Sequence, residues 1–178
     1  MKITPDQALE ILIESGCRPN SLSHSLIVAG ITRAICEDLK ANVRIDTDLA
    51  VCGAVLHDVT KTRSIETGEH HDVTGGEYIR ALGFEKIARI IEAHVRLNNF
   101  SKSEPLTEEE IVHYADKRVK HSEIVSIDDR IKDLIIRYGS TPERADEIAG
   151  RIHFLKELEM KIESQMKTGI SGAIAKIK

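Results

Sequence analysis

His57-Asp58 ends an apolar run, Leu49-Ala50-Val51-Cys52-Gly53-Ala54-Val55-Leu56, with His24 upstream and His71, His94 and Asp116 downstream. Imidazole nitrogens and carboxylate oxygens arriving from several segments suit a divalent ion, because no single helical turn offers enough ligands to surround one. The chemistry such a set supports is metal-dependent hydrolysis. Adjacent helical side chains diverge by about 100 degrees, so two consecutive ligands reach one ion best where a helix gives way to a loop.

The residues around these positions carry more information. His24-Ser25 opens Leu26-Ile27-Val28-Ala29-Gly30, the pair lies in Gly53-Ala54-Val55-Leu56-His57-Asp58-Val59-Thr60-Lys61, and the last aspartate lies in Tyr114-Ala115-Asp116-Lys117. Across residues 20–120 this pattern resembles the HD superfamily of metal-dependent phosphohydrolases, whose signature is a separated His, an adjacent His-Asp and a later Asp. Lys61 falls in register with the lysine that follows the family's pair. Val59-Thr60 stands where Ile-Gly is common, so the turn lacks the residue that most easily takes positive φ. His71-Asp72-Val73-Thr74-Gly75-Gly76 resembles a subset with two metals, in which the paired glycines let helices approach closely; His70 is out of register.

The resemblance implies an all-α fold, a compact multi-helix HD bundle with a C-terminal helical extension. It implies one ion on His24, His57, Asp58 and Asp116, and in a dinuclear version a second on His71 and His94, bridged by Asp58. Ligands of mixed nitrogen and oxygen type admit Mn, Fe, Co, Ni, Zn or Mg. The reaction implied is cleavage of a phosphate ester or anhydride by metal-bound hydroxide, with Asp58 and Lys61 as catalytic residues. Lys61 grips a phosphoryl oxygen, with Arg63, Lys117 and Arg118 as further substrate-binding candidates. The substrate class is a nucleotide or a similar small phosphorylated metabolite, since the spacing resembles small stand-alone members that include diadenosine tetraphosphate hydrolases. Two rival readings share the residues: a di-iron oxygenase of the HD fold, and a non-catalytic nucleotide-binding regulatory module.

Composition bounds the alternatives. Aromatic residues make up 3% of the 178 residues and Trp is absent, so the core is built from Ile, Leu, Val and Ala, which favours packed helices. The length suits one well-buried domain or a domain with an extension. A formal charge of -4 excludes a general affinity for nucleic-acid backbone. The local cations Lys61, Arg63, Lys117, Arg118 and Lys120 either receive phosphate or are solvated surface charges. Cys17, Cys36 and Cys52 form no metal or disulfide pattern and point to a reducing cytoplasm. The amino terminus has no apolar signal core, and no run approaches the length of a membrane span.

The elements that must position these residues are helices. Thr4-Pro5-Asp6-Gln7 caps a first helix that Gly16 stops. Ser21 or Ser23 starts a second, with His24 beside the stripe of Ile27, Val28, Ile31 and Ile35. Asp46 or Thr47 caps a third that reaches His57, and the polar stretch Thr60 to Gly68 reads as loop. Further helices are expected from Glu77 to Leu82, from Phe84 to about Arg96 with His94 on the stripe of Ile90 and Ile91, and after the capping box Thr107 to Glu110. Asp116 lies on the apolar face of that helix, with Lys117 and Lys120 expected to point elsewhere; His113, one turn earlier, either orients Asp116 or faces substrate. Asn98 to Pro105 reads as loop. The expected division is a core over 1–125 and an extension over 126–178. There Thr141-Pro142 opens a long helix whose stripe, Ile148, Ile152, Leu155, Ile162 and Met166, packs on the core or pairs two subunits as a homodimer. Gly169 and Gly172 are expected to leave a loosely held tail.

Overall fold

Side-chain caps start the helices where the sequence places them. Thr4 forms a capping box with Gln7 at α1 (Pro5–Glu14), Asp46 accepts from the Leu49 amide at α3 (Thr47–Leu56), and Thr107 pairs with Glu110 at α7 (Glu108–Lys117). The structure, a computed structural model, describes residues 2–98 and 100–177. Between those helices run α2 (Pro19–Asp38), α4 (Lys61–Thr67), α5 (His71–Ala81) and α6 (Glu85–Ala93). A two-stranded antiparallel hairpin, β1 (Val119–Lys120) and β2 (Glu123–Ile124), then leads to α8 (Ile127–Tyr138), α9 (Pro142–Ser164) and α10 (Gly169–Ile174). The chain is all-α apart from that hairpin.

Helix α3 is the centre of the bundle. Every residue from Ala50 to Leu56 is buried, and the helix packs against α1, α2, α6 and α7. A helix apolar all round is one covered on all sides. Gly53 is the closest approach: a Cβ there would lie 2.6 Å from Ile90 Cγ2 and 3.0 Å from Ile90 Cβ on α6. The α5 to α6 contact uses the same device, since a Cβ on Gly76 would lie 2.5 Å from Glu92 Cγ and one on Gly75 3.0 Å from Ile91 Cγ2.

Four expectations about the elements need correction. Helix α2 begins at Pro19, ahead of both serines, because proline suits the first helical position. Thr60 to Gly68 is not loop: Lys61–Thr67 is a short helix with no buried residue, closed by Gly68 at φ 76. It carries no apolar period to read and is held by local bonds, such as Ser64 N–H to Thr60 O at 3.0 Å. Helix α5 starts at His71 rather than Glu77, taking in both glycines, because packing on α6 outweighs their low helix propensity. Helix α6 ends at Ala93, with His94 as its C-cap, short of Arg96. Residues 100–105 are without helix or strand, and Asn99 lies outside the described residues.

The segment after the hairpin is firmly attached. The stripe of α9 is spent inside the chain, with Ile148, Leu155, Leu158 and Ile162 buried and the helix packed on α7 and α8. Lys161 carries its ammonium to Glu110 at 2.7 and 2.8 Å and to the Ser101 carbonyl at 2.8 Å, fastening α9 to α7 and to the loop before it. The tail is not loose through Ile177: Asp38 accepts from Thr168 N–H at 2.7 Å and from its hydroxyl at 2.9 Å, while Ile170 and Ala173 are buried against α2 and α9. Lys178 lies outside the described residues. No helix among those described is long and apolar enough to cross a membrane.

The Gly53 contact gives a direct test. Gly53→Val should lower stability by about 1–3 kcal/mol through overpacking against Ile90. Gly150→Val, at an exposed position with open space around it, should stay within about 0.5 kcal/mol of the parent in the same urea titration.

Candidate metal centre

Six side chains meet at one end of the bundle, and most come from helix termini. His57 is the C-cap of α3 and Asp58 follows it in the turn; His71 is the first residue of α5; His94 is the C-cap of α6. His24 lies near the start of α2 and Asp116 in the last turn of α7. All but His71 are buried, with His57 at 0% exposure and Asp58 at 2%.

The helix ends also orient the imidazoles. The last carbonyls of a helix have no partner within it, and two of these histidines use them. His57 Nδ1 donates to Ala54 O at 2.7 Å and His94 Nδ1 to Ile91 O at 2.5 Å. His24 Nδ1 donates to His121 O at 3.1 Å, in the hairpin turn where His121 takes φ 55. A carbonyl only accepts, so in each ring Nδ1 holds the hydrogen and Nε2 is left to face the cluster, the arrangement that fixes metal-ligating histidines.

The Nε2 atoms converge on the carboxylates. His24 Nε2 is 3.0 Å from Asp116 Oδ1, while His57 Nε2 is 3.5 Å from Asp58 Oδ2 and 3.8 Å from Asp116 Oδ1. On the other side, His71 Nε2 is 3.3 Å and His94 Nε2 3.7 Å from Asp58 Oδ1. Donor atoms of His24, His57 and Asp58 lie within 4.8 Å of one another, as do those of Asp58, His71 and His94, so Asp58 belongs to both groups. Metal bonds of about 2.0–2.2 Å meeting at tetrahedral or octahedral angles hold ligand atoms roughly 2.8–3.6 Å apart; the distances 3.0, 3.3 and 3.5 Å fall in that range, and 3.7 and 3.8 Å lie just above it. His57 Nε2 and Asp58 Oδ1 are buried and have no hydrogen-bond partner among the described residues. Buried polar atoms are normally satisfied, and a divalent ion would satisfy both. The donor set therefore fits one or two such ions.

Comparison with known sequences agrees with the geometry. Residues 21–119 match the HD domain family. The chain belongs to that family. It is 34% identical to the uncharacterized protein MJ0778 of Methanocaldococcus jannaschii, over 75% of this chain and 86% of that protein. It is also similar to Ribonuclease Y of Fusobacterium nucleatum, at 34% identity, and of Rubrobacter xylanophilus, at 37%; each match covers 42% of this chain and 14% of the relative. No solved structure matches the chain significantly.

Electrostatics in this HD site follow from burying two carboxylates. Burial works against the charge of Asp58, but His57, Lys61 and His71 outweigh it and hold the carboxyl well below its usual range. Asp116 is likewise held well down, against burial, by Lys117, His24 and His57. For His57, burial is overcome by Asp58 and Asp116, so its imidazole binds a proton more readily than usual. His94 goes the other way: burial pushes it down to about 4.

The cations divide into two groups. Lys61 Nζ lies 2.5 Å from Asp58 Oδ2, and Lys117 Nζ lies 2.5 Å from Asp116 Oδ2 and 3.0 Å from the His94 carbonyl. The expectation that Lys117 points to another face is thus corrected: at the end of α7 its chain folds back on its neighbour. Arg63 and Arg118 are not brought to the site. Arg63 is exposed and held by Glu69 at 2.9 Å, and Arg118 braces the hairpin through Val125 O at 2.6 Å and the Tyr114 hydroxyl at 2.7 Å. Lys120 lies 3.7 Å from Asp133. His113 forms no hydrogen bond or ion pair with Asp116; it donates to Ala93 O at 3.0 Å.

Two supports escape sequence reasoning. Thr60 needs no left-handed backbone, taking φ -104, and its hydroxyl donates to His71 O at 3.0 Å and lies 2.9 Å from Thr74 Oγ1. It pins the start of α5 to the His-Asp turn. The Val-Thr departure was the one visible signal for that role. The His121 carbonyl that orients His24 left none, because any residue supplies a carbonyl.

Asp58→Ala should lower bound Mn or Zn by more than about 100-fold in affinity, measured by elemental analysis after dialysis, with far-UV circular dichroism unchanged. Because the His57 proton is held more tightly than usual, it competes with metal at and below neutral pH and is lost as pH rises. Metal affinity should therefore climb from pH 6 to 8 by up to about tenfold per unit. Calorimetry in two buffers of different ionisation enthalpy reads the released proton.

Proposed function

We propose that this chain is a metal-dependent phosphohydrolase that cleaves a phosphate ester or anhydride, with a nucleotide or a similar small phosphorylated metabolite as substrate. The observation that carries the reading is Asp58, one carboxylate shared between two donor groups, with one buried oxygen unpartnered and a lysine on the other. In this reading His24, His57, Asp58 and Asp116 would hold one ion, and His71 and His94 with Asp58 would hold a second. Such an ion, when bound, would supply an acidified water and positive charge against the phosphoryl oxygens.

The protein's own residues do the rest. Lys61, half-buried and next to Asp58, is placed to meet a phosphoryl oxygen, and Lys117 offers a second ammonium from α7. Their charges favour the transition state over the ester because negative charge gathers on the phosphoryl oxygens as reaction proceeds. The water oxygen bonds to phosphorus as the bond to the leaving oxygen breaks, and the leaving oxygen takes up a proton. Residues 1–125 carry all of these groups in the proposed division, and 126–178 wall and brace them. The Ribonuclease Y similarity supports phosphate bonds of nucleotides as the target, and the formal charge of -4 favours small substrates over strands. Three free cysteines are in keeping with a cytoplasmic setting.

A panel of nucleoside mono-, di- and triphosphates, cyclic nucleotides and dinucleoside polyphosphates, with added Mn, Co, Ni or Mg, tests the proposal by phosphate or nucleotide release. Wild type should turn over at least one, and Asp58→Ala none. Lys61→Ala should lose about 10–1000-fold in kcat while keeping its metal. Product formation that requires oxygen, or turnover that survives Asp58→Ala, would overturn the hydrolase reading.

A further inference from the structure

A cavity of about 350 Å³ opens beside the centre, bounded by the segment after α6 and by α7, α8 and α9. Leu97, Ile131, Leu134, Phe154 and Leu155 give it an apolar lining. Lys117 lines it too, and the same ammonium touches Asp116 and the His94 carbonyl, so cavity and donor cluster share a wall. Arg96, Asn98, Glu147 and Arg151 line it as well, so with Lys117 and His113 half of the lining is polar, and a hollow of this size with apolar walls and convergent polar groups has the form of a small-ligand site.

Of the polar lining residues His113 is the one that is buried, and it gives the cavity a specificity. It is 4% exposed, and its ring stands edge-on to Phe154 with centroids 5.8 Å apart. Nδ1 donates to the Ala93 carbonyl, so Nδ1 holds the hydrogen, and Nε2, without a hydrogen-bond partner among the described residues and not fully enclosed, is reachable from the cavity. Burial, aided by the charge of Lys117, pushes the imidazole down to about 3, so the ring is neutral at physiological pH and Nε2 is an acceptor. A bound ring would seal this acceptor from water, which is costly unless the ring supplies a donor, so binding favours a ligand with an N–H at that point. A site of this kind rejects rings that lack the donor.

We infer that this cavity takes the heterocycle of the substrate, a nucleobase whose N–H donates to His113 Nε2 while Phe154 packs against it. A site for an N–H-bearing ring stands on the cavity; that the ring is a nucleobase, and that its phosphate lies past Lys117 toward the His and Asp cluster, rests on the phosphohydrolase reading. His113 is then a specificity-determining residue, set apart from the metal-holding groups.

Calorimetric titration of the full chain with adenosine, cytidine, guanosine and uridine tests the inference without turnover. At least one should bind, and purine riboside, whose base carries no N–H, should bind at least tenfold more weakly than the best of them. His113→Phe, which keeps a ring against Phe154, should weaken the best nucleoside tenfold or more and leave metal content unchanged. Leu134→Trp, which fills the cavity from α8, should give the same loss should His113→Phe fail to fold. No binding by any nucleoside, equal binding of purine riboside, or unchanged affinity in the folded variants would overturn the inference. Nucleoside binding without hydrolysis of any phosphate ester would sink the phosphohydrolase reading and leave the ring site standing.

Discussion

Asp58 is a carboxylate with 2% exposure, and the surrounding structure is organised around keeping it charged. Moving such an ion out of water costs several kcal/mol even after relaxation, and the cost is met only by close opposite charge and well-aimed donors. The chain supplies Lys61 at 2.5 Å and imidazoles from three helices at 3.3 to 3.7 Å. Each requires its own element to end at the right place, so one buried charge dictates the register of α3, α5 and α6 together.

Helix termini solve the problem because they have hydrogen-bonding capacity to spare. A histidine at a C-cap can donate Nδ1–H to the carbonyl three residues back, which lacks the amide four residues on that it would meet inside a helix. His57 and His94 both do so, to Ala54 and Ile91. The bond holds the ring and leaves Nε2 as the outward atom, so one local contact sets both orientation and chemistry. Close packing sets the distance between the two ends: Gly53 against Ile90 brings α3 onto α6, and Gly75 and Gly76 bring α5 onto α6. Bulkier residues at these glycines would move His71 and His94 relative to Asp58.

What the sequence makes legible is what has a period or a fixed spacing. The caps at Thr4, Asp46, Thr107 and Thr141 mark helix starts because a side-chain oxygen must meet a free amide there. His24, His57, Asp58, His71, His94 and Asp116 stand out by type and interval, and the fold gathers all six. Exposed α4 has no apolar stripe, so it was hidden, and α5 was hidden in its first half because glycines read as breakers when the partner helix is unknown. Arg63 and Arg118 were misplaced for a related reason. Proximity in sequence to a ligand says nothing about where a long flexible side chain finds its partner, here Glu69 for one and Val125 with Tyr114 for the other.

The similarity to the HD domain family ends at residue 119, but the constraints on the site do not. His24 is oriented by the carbonyl of His121, two residues further on, and the hairpin that presents this carbonyl is braced by Arg118 on Val125. Glu110 on α7 is buried with Lys161 of α9, and truncating either partner would leave an uncompensated charge inside the protein. Helices α8 and α9 also provide most of the apolar wall beside Lys117. The donor cluster therefore comes from the family segment, while its rigidity and the shape of the space next to it come from the residues that follow. In a fold whose chemistry is shared among many relatives, that later segment is where a substrate preference can be written without disturbing the ligands.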